Sequence, residues 1–164
     1  MRETYLDLAI HMARFGSDAL DITYRHTKQW LRGITDYDQM GNYAWKKGKF
    51  AANSYQFSSA AWPNRHLPNY KGVLHGEHVV PVHKVAKEWI EMVRNSRSEK
   101  EQRAFLDQNM VVVWITIAEK DRIGAAKLTT KMPKQWQWGD DIYARLKEVG
   151  IMVVDAGGFE PPAS

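Results

Sequence analysis

The run Met110-Val111-Val112-Val113-Trp114-Ile115-Thr116 constrains this chain more than any other. It is a nearly continuous stretch of β-branched and other apolar side chains. Such side chains lose rotamer freedom in a helix and pack well on a pleated surface. A short apolar run of this kind reads as a buried strand. Val73 to Val82 reads as a second strand with a turn at Gly76.

Helices fill the space between and around the two strands. Lys84 to Arg94 places Val85, Trp89, Ile90 and Val93 on one face. Ser98-Glu99-Lys100-Glu101 resembles a capping box one residue short, opening a helix to Leu106. Thr116 is suited to cap a helix from Ala118 to Leu128, with Pro133 as its stop. Asp140 to Val149 forms a last helix, ended by Gly150. At the other end, Leu6, Ala9, Ile10 and Ala13 follow helical spacing up to Gly16. Asp18 is a candidate N-cap for a helix through Ile22 to Leu31, ended by Gly33. A third helix is expected from Tyr37 to Trp62. The fold class that follows is α+β, a helical N-terminal layer over residues 1–62 packed on a two-stranded finger over residues 73–128. With the C-terminal helix at 139–150, this makes a single domain over residues 1–155.

Bulk composition narrows the function classes. The chain has 164 residues and is 44% hydrophobic, enough for a real core. It has no cysteine, which excludes disulfides, iron–sulfur clusters and cysteine-ligated zinc. Acids appear early and no window approaches eighteen uninterrupted apolar residues, so neither a signal peptide nor a membrane span is expected. A cytoplasmic setting follows as an expectation. The formal charge is +4 and the pI about 9.2, which is compatible with a nucleic-acid partner.

The chemistry concentrates at Gly76-Glu77-His78-Val79-Val80-Pro81-Val82. An acid and a histidine sit side by side at the end of a strand. Histidine titrates near neutrality and can deprotonate water, and a carboxylate-held divalent cation can stabilise the leaving oxygen of a phosphodiester. Asn109 opens the second strand, and Glu119 and Asp121 lie on the first turn of the helix after it. Other histidines bear less weight. His75 and His83 flank the motif, where each is either an added ligand or a solvent-exposed turn residue, and His11 and His26 fall in amphipathic helices and read as structural.

Glu77-His78-Val79-Val80-Pro81 resembles the acid-His-x-x-Pro signature of the HNH (ββα-metal) endonucleases. Asn109, the strand after it, and Thr116 with its charged helix resemble the second half of that finger. The resemblance spans about residues 73 to 128. It implies a DNA endonuclease using Mg²⁺ or Mn²⁺, with Glu77 as a metal ligand, His78 as general base and Asn109 as the residue that orients the finger. The pattern departs at its last position. No histidine follows Thr116, and the four-residue offset lands on Lys120. Asp121 or Glu119 would then supply the missing ligand, oxygen donors suited to Mg²⁺ or Mn²⁺. Lys84, Arg122, Lys127 and Lys131 would contact phosphates. DNA is the expected partner, with RNA an open alternative, and a homodimer would serve double-strand cleavage. The competing expectation is a degenerate finger that binds nucleic acid or protein without catalysis. Trp136 and Trp138 would stack on bases or pack at a core edge.

The tail from Ala156 to Ser164 is rich in Gly and Pro and is expected to be disordered. Gly-Phe-Glu-Pro resembles the ending of bacterial reading frames that run into a transfer-RNA gene on the opposite strand. That resemblance implies a mobile-element setting.

Overall fold

A computed structural model of the chain describes residues 2–16, 18, 20, 24–36, 56–67, 70 and 72–154. They pack as two compact units, each drawing on both halves of the chain. One comprises Met1–Ala44 with His78–Val111, the other Trp45–Glu77 with Val112–Ser164. This is a different partition from the expected helical layer over 1–62 and finger over 73–128. The C-terminal tail call at 156–164 and the part of the third helix at 37–55 lie outside the described residues.

The first unit is helical. Among the described residues its elements are α1 (Arg2–Ala13), α2 (Tyr24–Asp36), α3 (Val82–Arg94) and α4 (Glu99–Asn109). The apolar spacing of α1 buries Leu6, Ala9, Ile10 and Ala13, and α2 contributes Leu31 and Ile34. Val85, Ala86, Trp89 and Ile90 of α3 meet them in the core with Leu106 and Met110. The helix through Leu31 runs on past Gly33 to Asp36, contrary to the sequence expectation. Here glycine is a packing residue. A Cβ at Gly33 would lie 2.3 Å from the Tyr5 ring of α1, so only the bare backbone admits the ring. Trp89 Nε1 donates to Gln102 Oε1 at 3.0 Å, and Gln102 Nε2 donates to the Arg97 carbonyl at 2.8 Å, which satisfies both buried polar groups. The Ser98–Glu101 capping box on α4 is complete, where the sequence suggested one residue short.

The second unit is built on a sheet of order β2-β3-β1-β4, with β1 (Gln56–Ser58), β2 (Leu74–His78), β3 (Val112–Thr116) and β4 (Val153–Val154). β3 lies inside the sheet, and Val112 to Ile115 are all buried, as the apolar run requires. β1 pairs with it in parallel, Gln56 facing Val113 and Phe57 facing Trp114. β4 pairs antiparallel with β1 through Phe57–Val154 and Ser58–Val153. The expected β2–β3 neighbours are adjacent. Ile117 N–H donates to the Val73 carbonyl at 3.2 Å at one end, and Val79 N–H to the Val111 carbonyl at 3.0 Å at the other. That crossing of ends makes the pair antiparallel.

Gly76 sits within β2 with no turn there, and β1 replaces the end of the expected third helix. Thr116 caps α5 (Ile117–Ala125), which stops before Leu128 because the chain turns through Lys127 at φ 58°. The last helix is also shorter than expected, α6 (Ala144–Glu148), and Gly150 at φ 69° closes it. Leu128, Met132, Leu146 and Ile151 of this region are buried.

Candidate functional site

Strand periodicity decides the geometry around the acid–histidine pair. Successive side chains of a strand project to opposite faces. In β2, Leu74, Gly76 and His78 are buried, whereas His75 and Glu77 are half-buried. The histidine that shares the Glu77 face is therefore His75. His75 Nε2 lies 3.1 Å from Glu77 Oε2.

The other Glu77 oxygen is held by Arg145. Arg145 Nη2 donates to Oε1 at 2.5 Å, from a side chain that is 0% exposed against 14% for Glu77. Arg145 Nη1 donates in turn to the carbonyls of Leu128 at 3.0 Å and Thr129 at 3.1 Å. A planar guanidinium suits this divided task, because its donors leave in fixed directions. Burial works against ionisation of Glu77, but the hydrogen bond from His75 and the field of Arg145 outweigh it and hold the carboxyl below its ordinary range. Burial lowers the Arg145 pKa too, and the attraction of Glu77 opposes that. The result is a hydrogen-bonded chain, His75–Glu77–Arg145, whose exposure falls from the histidine end to the guanidinium.

The remaining sequence-derived candidates are placed as follows. His78 is 9% exposed, and its Nε2 lies 2.9 Å from Thr35 Oγ1 of α2. It is grouped with the helical unit, and the division between the units falls between it and Glu77. Asn109 closes α4 instead of opening β3, and its Nδ2 donates to the Phe105 carbonyl at 2.8 Å, one turn back in its own helix. Glu119 is 3% exposed. Its Oε2 accepts from Thr116 N–H at 2.8 Å, from Thr116 Oγ1 at 3.0 Å and from Ser58 Oγ at 2.6 Å. It is a helix cap that also ties α5 to β1. Asp121 stands exposed on α5. Arg122, Lys127 and Lys131 are exposed along one stretch of the second unit, while Lys84 lies on the first turn of α3 in the other unit.

These positions do not fit a divalent cation. A metal at Glu77 would compete with a fixed guanidinium for one oxygen and with an imidazole for the other. Oxygen-rich sites for Mg²⁺ or Mn²⁺ need several converging donors. Among the described residues, no group of three or more His, Asp or Glu side chains is placed to hold a metal ion.

Two participants were not assigned to the site by the sequence reading. His75 carried a usable signal, since it stands two positions from Glu77 in a strand and so shares its face. Arg145 carried a weaker one, a lone cation within Tyr143-Ala144-Arg145-Leu146. Nothing local reveals that it is buried, or that its partner lies 68 residues away. No described helix is long and apolar enough to cross a membrane. Comparison with protein-family models, with curated proteins and with solved structures yields no match for this chain.

Proposed function

We propose that this chain is a nucleic-acid-binding module built on a degenerate finger of the ββα kind. One observation carries the reading. The carboxylate of Glu77, which matches the metal-binding acid of the family it resembles, is occupied by the buried guanidinium of Arg145 at 2.5 Å. A fixed internal cation neutralises that carboxylate without a metal. The histidine that would activate water is buried against Thr35. Exposed cations on and after α5, together with the net charge of +4, supply the affinity for a polyanion.

A second reading is a Mg²⁺- or Mn²⁺-dependent endonuclease. It draws support from the order of elements: β2 antiparallel to β3, followed directly by α5, with Glu77 and His78 adjacent at the end of β2. One set of measurements separates the two. Under the first reading, labelled DNA binds with an affinity that falls steeply with salt, plasmid stays intact in Mg²⁺ and Mn²⁺, and calorimetry shows no Mn²⁺ heat that Glu77→Ala removes. Plasmid cleavage by wild type that is lost in both Glu77→Ala and His78→Ala would reject the first reading in favour of the second.

A further inference from the structure

We propose that the segment from Lys120 to Trp138 is a track for single-stranded nucleic acid, its cations on the phosphates and Trp136 and Trp138 on the bases. The inference rests on the nucleic-acid reading above and names the form of the ligand. Lys120, Arg122, Lys127, Lys131 and Lys134 are all exposed, and Asp121 is the one exposed acid between Lys120 and Lys134. That is a segment with five exposed cations to one exposed acid, in which Arg122 also lies 3.7 Å from the buried Glu119.

The segment is braced from beneath. Leu128 and Met132 are buried, and Arg145 clamps the carbonyls of Leu128 and Thr129. The backbone between Lys127 and Lys131 is thus anchored at Leu128, Thr129 and Met132, and anchoring of this kind lowers the ordering entropy lost on binding. Lys127 itself sits at the left-handed turn that ends α5, with its N–H bonded to the Gly124 carbonyl at 2.9 Å.

The aromatic pair lies directly after the last cation. Trp136 and Trp138 meet edge to face, with centroids 4.9 Å apart at 69°, and both are half-buried. Trp136 Nε1 donates to the Asp141 carbonyl at 2.9 Å, and Gln137 N–H donates to Asp140 Oδ2 at 2.8 Å, so the turn that presents them is fixed. The acids that follow are engaged, Asp140 in that turn and Asp141 with Lys147 Nζ at 2.6 Å. Cations along a braced backbone, next to indoles with exposed surface, suit a strand whose bases are free to stack. A duplex hides its base faces and would use the cations alone.

Fluorescence anisotropy with labelled oligo(dT), oligo(U) and a duplex of equal length tests the idea; the two single strands distinguish DNA from RNA. Wild type is expected to favour the single strands. Trp138→Ala is expected to weaken that binding about tenfold, with Trp138→Phe restoring most of it. Lys131→Ala should reduce the slope of log K against log salt by about 0.7. Absence of binding to any of the three probes would overturn the nucleic-acid reading and this inference together. Binding of duplex as tightly as single strand, or Trp138→Ala within twofold of wild type, would overturn the track while leaving that reading standing.

Discussion

Replacing Arg145 with Met should strongly destabilise the second unit. Methionine keeps much of the aliphatic length and removes the charge and every donor. Three acceptors lose a donor at once: Glu77 Oε1 and the carbonyls of Leu128 and Thr129, of which Leu128 keeps only a 3.4 Å contact from Lys131 N–H. Breaking a buried ion pair from one side costs about 3–5 kcal/mol, because the surviving charge is left in a poor solvent. The Glu77 side chain keeps 14% exposure and its contact with His75, so the lower half of that range is expected, about 3 kcal/mol. Glu77→Gln removes the charge from the other side and should cost about 2–3 kcal/mol, since the amide oxygen still accepts a hydrogen bond. The two changes share one interaction, so the double variant should fall short of the sum by about 1–3 kcal/mol. Urea unfolding of the four proteins measures this cycle.

The same pair sets a pH dependence. Glu77 has a folded-state pKa below its ordinary value, so its contribution is complete above the ordinary carboxylate range and is lost as pH falls through the lower, folded value. Wild type should therefore lose stability on acidification more steeply than Glu77→Gln. Additive single variants, or an unchanged acid limb in Glu77→Gln, would refute the argument that a buried ion pair organises this unit.

Three further outcomes follow from the packing. Gly33→Ala should destabilise the helical unit by about 1–2 kcal/mol in spite of alanine's better helix propensity, because the new methyl meets the Tyr5 ring; thermal unfolding checks it, and adding Tyr5→Ala should relieve the clash. Thr116→Ala should cost about 1 kcal/mol through loss of the cap, and Glu119→Ala about 2 kcal/mol, since it also strands Ser58 and the Thr116 N–H, with amide exchange at the start of α5 as the readout. His75→Ala should cost under about 1 kcal/mol by chemical denaturation, as its side chain is 33% exposed and Arg145 still holds the carboxylate.

Much of the architecture was legible in local patterns. The Val112–Thr116 strand, the two helices before it and the Thr116 cap all follow from short-range rules: β-branching, apolar spacing and a side chain that satisfies the first amides of a helix. The misreadings share a cause as well. Gly33 carries the local signal of a helix end, but a ring from another helix needs the space its missing side chain leaves. β1 spans three residues and β4 two, too short to display an alternation, and they are strands because a neighbour offers hydrogen bonds.

The candidate site divides along the same line. The sequence by itself placed an acid and two histidines in one strand segment, but with a turn expected at Gly76; because β2 instead runs straight through that glycine, strand alternation puts His75, not His78, on the side of Glu77. Only the tertiary structure decided what that carboxylate does. Arg145 comes from the far end of the chain, and a charge so deeply buried is tolerable only beside its counter-charge. Pairing of that kind depends on where distant segments are brought together, and no local spacing encodes it.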